Sequence, residues 1–580
     1  MDFSFYIFGQ QFETHPGMLG ADTSMNGMPN VLDYTLGHIN ASSSILPNIS
    51  AFPDYSDETT LVKNDSELPN INLLNHLIDM FFDYYFQLGR MFDKSPTELK
   101  LSLHVPPTHP DRPHPALLHA ICGAASIYSD QIPPTRLPFR GRTPTQQIFP
   151  LDSFDMPNSF GERHCRLAFK RIHEGGGSMR FHVELVQALA VLSATYRRLA
   201  KYGMAYATMI EGMRFATLLH LNVGPGFEGF SDDYIPSVRA PIARSPRQEE
   251  ARRNTFWMCY VTERLYARLP AHAMCVDDCD VSQALPLRGD LFEEGVEAIP
   301  PAGRQYAHSP NVLFNHPLEL TDSFVLFVKS AILISRVTTF NRRFLKLNNL
   351  GVSGMSSKKL SSPEALSPSG SMNEDSLSSR RRRERQSDAR EVGEFLKLEN
   401  DVESFLRSFP ANLQEPIAQD GAVDWTLLNA YLAAYYAKML LHEPHADYTL
   451  NDCDSDAYDF ECRSARNVLD AVDDAYHLLR SMTESVSDVT LSDPFCSTIL
   501  FKCSTIFLEI LHKSTQPPAT EENITARPRL RKTWEKLDFM RETLRRIGVR
   551  LPQSETLGRL LDELLRRLTD PDRRSSRTSV

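Results

Sequence analysis

Residues 181–222 read FHVELVQALAVLSATYRRLAKYGMAYATMIEGMRFATLLHLN, and the spacing of apolar positions in this stretch decides the fold class. Val186, Leu189, Leu192, Ser193, Tyr196 and Leu199 return at the three- and four-residue steps of one helix face. Ala205, Met209, Met213, Ala216 and Leu219 do so again. Only Lys201, Tyr202 and Gly203 separate the two stripes, so the helices must fold back antiparallel, with Gly203 expected to supply the left-handed turn. A helical hairpin of this kind stacks with others into an array.

The same period extends in both directions. INLLNHLIDMFFDYYFQLGRMF places Leu73, Leu74, Leu77, Ile78, Phe81, Phe82, Tyr85 and Leu88 on one broad stripe. Pro106, Pro107, Pro110, Pro113 and Pro115 then form a stiff connector to a helix in ALLHAICGAASIYS, and a proline-rich loop runs from Ile132 to Pro157. Ser245-Pro246-Arg247-Gln248 is a helix start: Ser245 can cap, Pro246 suits the first helical position, and Gln248 completes a capping box. Ala251, Thr255, Met258, Thr262, Leu265 and Leu269 carry that helix to Pro270, and Glu249 and Arg253, four apart, are expected to pair on its solvent side. Later helices are predicted near Thr321–Phe340, Glu391–Phe409, Trp425–His442, Glu461–Met482, Pro494–His512, Arg531–Ile547 and Leu557–Leu568. No run reads as a strand.

The expected fold is therefore all-α, a helical-hairpin array in two halves. A disordered acidic arm (1–69) precedes a core half (70–345), a Ser/Arg-rich disordered insertion (346–390) separates it from a C-terminal helical half (391–570), and a short disordered tail (571–580) follows. With 580 residues, 42% of them hydrophobic, the chain can bury a large core. Its net charge of -11 opposes phosphate binding by the chain as a whole, and the arm carries most of that charge: nine acidic residues against Lys63 between Met1 and Asn70. Nine cysteines, an odd number set mostly in apolar helical patterns, suit reduced thiols. The apolar run Phe324–Ile334 is short and carries Lys329, so neither it nor Phe3–Phe8 is read as a membrane span or signal peptide.

The catalytic patterns that residues can announce are a nucleophile beside a base, a glycine-rich phosphate cradle and a His-Glu-x-x-His helix. None stands out. Gly224-Pro225-Gly226-Phe227-Glu228-Gly229 matches a dinucleotide fingerprint by letter, yet it follows a helix and contains proline. His104, His109, His114 and His119 recur every five residues, a step that does not converge on one ion; His272, Cys275 and Cys279 lack a fourth ligand. No catalytic, cofactor or metal residue is assigned, and the chain is not expected to be an enzyme.

Three stretches carry a family resemblance: HPALLHAICGAAS (His114–Ser126), Val186–Asn222, and EEARRNTFWMCYVTERLYARL (Glu249–Leu269). They continue into VDDCDVSQALP (Val276–Pro286) and LLNAYLAAYYAKMLLHEP (Leu427–Pro444). Together they resemble the fungal-specific transcription factor domain, also called the middle homology region or xylanolytic-activator regulatory domain. The signature residues are Arg252, Arg253, Phe256, Trp257, Asp277, Asp280 and Pro286. Arg252 and Arg253 precede the aromatic pair by one turn, so cation and ring can stack, and the acidic run Asp277, Asp278 and Asp280 is the expected partner of those arginines. A salt bridge fixing the array is favoured over a ligand contact.

The resemblance implies a nuclear regulator of RNA polymerase II transcription. Family members carry a six-cysteine cluster holding two zinc ions that aims a helix at the major groove; no cysteine precedes Ile71, so zinc is expected only if such a cluster lies upstream, and no cofactor is expected in this chain. DNA would then be contacted through that missing module or a partner. The implied partners are the transcription machinery or coactivators, a small-molecule effector and a second copy in a homodimer, with no membrane. Arg380, Arg381, Arg382, Arg383 and Arg385 form a basic run that is a candidate for nuclear import. The alternatives are a regulatory subunit without DNA contact, a metabolite-sensing helical module, or, further off, a scaffold or enzyme.

Overall fold

The computed structural model describes residues 67–106, 109–133, 159–174, 183–224, 240, 242–266, 273–294, 303–349, 389–449, 458, 460–514 and 527–569. The acidic arm up to residue 66, the loop 134–158, the glycine-rich stretch after Gly224, Pro270, His272, Cys453, residues 350–388 with the arginine run, and the tail lie outside them. The described residues form sixteen α-helices and no strand; two isolated antiparallel bridges, Ala284 with Tyr306 and Ile417 with Val423, are the extended pairings among them.

Among the described residues seven helices precede Ser245: α1 (Ile71–Tyr84), α2 (Phe86–Gly89), α3 (Pro96–Leu101), α4 (Pro115–Ala125), α5 (Phe160–His173), α6 (Val183–Arg198) and α7 (Tyr202–Leu218). Side chains start most of them. Asn70 accepts from Leu73 N, Ser95 and Glu98 close a capping box on α3, His114 accepts from Ala116 N ahead of Pro115, and Ser159 accepts from Glu162 N. α4 is buried nearly all round, between α1, α5 and α6. It meets α5 at Gly123 and Gly161, where a Cβ on Gly123 would sit 2.6 Å from Cys165 Sγ.

The α6–α7 hairpin forms as its sequence predicts, except at the turn. The left-handed residue is Ala200 (φ 58°), while Gly203 lies inside α7 with nothing near its Cβ position. Lys201 N donates to Tyr196 O and Ala200 N to Arg197 O, the paired bonds of a Schellman cap, and these bonds place the positive φ one residue past the last helical carbonyls. α7 ends the same way at His220 (φ 59°), with Leu221 N on Ala216 O and His220 N on Thr217 O.

The remaining helices are α8 (Pro246–Tyr266), α9 (Gly289–Glu293), α10 (Ser323–Asn349), α11 (Gly393–Arg407), α12 (Trp425–His442), α13 (Arg463–Ser485), α14 (Pro494–Ser514), α15 (Pro528–Gly548) and α16 (Pro552–Thr569). Gln248 N donates to Ser245 Oγ, but the Gln248 side chain reaches Arg244 N instead of closing the box on Ser245. α10, well beyond the predicted Phe340, packs on α8, α11 and α12 and so joins the helices on either side of residues 350–388. α14 is wrapped by α13, α15 and α16. By length and composition Ser323–Phe344 and α14 are apolar enough to cross a membrane, yet 83% and 94% of their apolar windows are buried inside the fold, which explains the composition without a bilayer.

An L-residue at positive φ costs about 1 kcal/mol that glycine does not incur. Ala200→Gly is therefore expected to raise stability by about 1 kcal/mol and Gly203→Ala to leave it unchanged or raise it slightly. Urea denaturation of both variants checks this; a destabilised Gly203→Ala would return the left-handed position to Gly203.

Candidate functional site

α8 presents Glu250, Arg253, Trp257, Tyr260 and Arg264 along one strip, the three- and four-residue repeat of a helix face. Each is tied to the segment 275–287, which runs across the helix as a strap. Glu250 and Arg253 are buried and paired, Arg253 Nε donates to Gln283 Oε1 at 2.9 Å, and Gln283 Nε2 holds Leu221 O and Val223 O, both at 3.1 Å. Arg304 Nη2 reaches both Glu250 oxygens, at 3.1 and 3.0 Å, and Leu287 N donates to Glu250 Oε1 at 2.7 Å. Trp257 Nε1 donates to Ala284 O at 2.7 Å. At the far end Tyr260 and Arg264 both donate to Asp278 Oδ1, at 2.8 and 3.0 Å, and Arg264 also holds Val276 O, Ser335 Oγ and the Glu263 carboxylate.

The signature residues take places different from those expected. Arg253 turns inward to Glu250, three residues back, and not outward to Glu249; Glu249 lies 3.9 Å from Arg252. Phe256 and Trp257 are fully buried and meet edge to face at 5.2 Å, and the Arg264 guanidinium lies 4.2 Å from the Tyr260 ring one turn back. The acidic run serves Arg264 through Asp278. Asp277 is exposed, caps the turn 278–280 by accepting from Cys279 N, and lies 3.6 Å from Arg343; Asp280 is exposed and offers its carbonyl to Asn222. Pro286 is buried in the strap. The strap reaches the last turns of α8 first, so Asp278 faces the residue there and not the arginines near the start. Glu250, Arg264, Gln283 and Arg304 are not singled out by the sequence pattern read above, although Glu250, Arg253, Trp257, Tyr260 and Arg264 form a second stripe beside the apolar one.

A match to a known family runs from within α1, through the strap, to the loop that precedes α10. Residues 78–312 match the fungal specific transcription factor domain. An uncharacterized transcriptional regulatory protein of Schizosaccharomyces pombe is 24% identical over 265 residues, which is 45% of this chain and 23% of that protein. The chain thus spans about a quarter of the length of that relative. No solved structure matches.

Just beyond the region matching the fungal specific transcription factor domain, α10 buries Lys329 completely. Its Nζ donates to Gln305 Oε1 at 2.9 Å, Asn315 O at 2.7 Å and His316 Nδ1 at 3.1 Å. Among the described residues these acceptors are all neutral, and burial pushes the Lys329 ammonium down to about 7. Burial, with Lys329 alongside, pushes His316 down to about 3. The His316 ring faces Phe405 and Phe409 edge-on, each 6.1 Å away, and its Nε2 meets Ser408 Oγ at 2.9 Å. In front of it lies a shallow depression, more open to solvent than enclosed, of about 660 Å³ and lined by Arg288, Phe314, His316, Leu318, Ser408, Pro410, Ala411 and Asn412. The five-residue histidine series does not gather: His119 is buried on His164 (Nδ1 to Nδ1, 2.8 Å), His114 caps α4, and His104 is exposed.

Removing one partner of a buried ion pair leaves the other desolvated and unpaired, at a cost of about 3 kcal/mol, whereas exposed pairs contribute about 0.5 kcal/mol. Glu250→Gln should destabilise by the larger amount and Glu249→Gln by no more than the smaller, as read by chemical denaturation. Lys329 gives a signed pH effect. Its folded value lies below the unfolded value of about 10.4, so between those values the unfolded chain binds the extra proton and stability rises with pH, by at most about 1.4 kcal/mol per unit. Lys329→Met should remove that rise when urea midpoints are compared at pH 7 and pH 9.

Proposed function

We propose that the chain is the regulatory part of a nuclear regulator of RNA polymerase II transcription. The observation that carries this reading is the match of residues 78–312 to the fungal specific transcription factor domain, and the name of the Schizosaccharomyces pombe relative points the same way. The strapped α8 supports it as a rigid body: its polar groups face one another and not a cleft, which suits a protein that acts through its surface. DNA contact comes from a zinc cluster or a partner, and the effect is passed to coactivators or the transcription machinery. Import is read from Arg380–Arg383 and Arg385, which lie outside the described residues. A second reading, a metabolite-sensing helical module, is favoured by the cavity in front of His316.

Fused to a bacterial repressor's DNA-binding domain in a fungal host, the chain should change expression of a reporter bearing that repressor's site several-fold, up or down, relative to the DNA-binding domain alone. A tagged chain should accumulate in the nucleus, and alanine at the five arginines should move it to the cytoplasm without loss of stability. An unchanged reporter, with the fusion folded and nuclear, sinks the proposal.

A further inference from the structure

We infer that the cavity between the loop preceding α10 and the turn following α11 binds a small organic carboxylate with an apolar body. The inference deepens the metabolite-sensing reading and rests on it. The depression offers about 660 Å³, room for a small molecule that would stay partly exposed to solvent. Phe314, Leu318, Pro410 and Ala411 offer an apolar wall, and Leu318 stays 58% exposed at the rim, apolar surface that a ligand would cover. Arg288, His316, Ser408 and Asn412 supply the polar groups.

The electrical case comes from behind the wall. In its protonated form Lys329 has no acceptor of its own, so its contact with His316 Nδ1 then makes that nitrogen the acceptor and leaves the ring proton on Nε2. Nε2–H then donates to Ser408 Oγ, whose hydroxyl proton has two backbone acceptors, Phe405 O at 2.8 Å and Leu313 O at 3.3 Å. The Ser408 hydroxyl can swing from Phe405 O to a ligand oxygen, with the Asn412 amide beside it. Arg288 is held by Asp290 and by Leu318 O, so its charge is already balanced at the rim. Lys329 is not: among the described residues no carboxylate lies within ion-pair distance, so its protonated form carries an unbalanced charge in a low-dielectric interior, where it acts over a longer range than at the surface. A single negative charge in front of His316 would favour the protonated form of Lys329, and the apolar wall calls for an organic body to carry it.

The test uses the purified full chain with benzoate and octanoate, their neutral amides benzamide and octanamide, and inorganic phosphate, read by thermal shift and by calorimetric titration. At least one carboxylate is expected to bind and raise the melting temperature, with its amide weaker by about tenfold or more, the cost of one charge-assisted interaction. Lys329→Met should stay folded and lose that preference. Ala411→Trp, at an exposed position on the wall, should block binding while leaving the melting temperature of the free chain unchanged. Equal binding of acid and amide, a Lys329→Met chain that keeps the preference, phosphate binding as well as the organic acids, or no carboxylate binding would each overturn the inference. Binding is measured without a reporter, so a silent reporter fusion with carboxylate binding intact counts against the transcription reading alone.

Discussion

One carboxylate, Glu250, faces two guanidiniums, Arg253 and Arg304, where almost no solvent reaches any of the three. A desolvated ion is tolerable only with every partner in place, so α8, the strap over it and the loop carrying Arg304 have to assemble together. Arg264 repeats the arrangement with opposite balance at the other end of the helix, one guanidinium against Glu263 and Asp278. Between the two ends, the Trp257 indole bonds the strap backbone. The strap has almost no secondary structure of its own, and these contacts along α8 give it its course.

α10 carries the consequence across the molecule. Ser335 on this helix shares Arg264 and Asp278 with the strap, Asp322 just ahead of it holds Arg90 and Gly289 N, and its apolar faces pack on α8, α11 and α12. Lys329 interrupts that apolar surface with a charge served only by neutral acceptors among the described residues. The cost of such burial falls on stability, and it is retained at a place where the loop before α10 and the end of α11 meet at a cavity. Charge, cavity and helix junction coincide there.

Much of the fold was legible as periodicity. The hairpin α6–α7, the capped start at Ser245 and Pro246, and the later helices follow from apolar spacing and a few capping residues, because a helix of this length needs only a buried face and an acceptable start. The resemblance carried by Arg252, Arg253, Phe256 and Trp257 led to the family that residues 78–312 match. Ala200 shows the limit of the same reasoning: glycine tolerates positive φ, but the Schellman bonds to Tyr196 and Arg197 decide which residue must adopt it.

By itself, the sequence determined that this chain is helical, where many of its longer helices lie, and which family its first large segment is similar to, while the helix Phe160–His173 carried no signal that was read. Those properties depend on residues a few positions apart. Only the tertiary structure decided that Glu250 and not Glu249 takes Arg253, that Asp278 serves Arg264, and that Lys329 lies beside His316 with no carboxylate near it among the described residues. Pairing depends on which faces are pressed together and how much water is left between them, and residues such as Glu250 and Arg304, fifty-four positions apart, meet only when the strap and the loop behind it have been laid over α8.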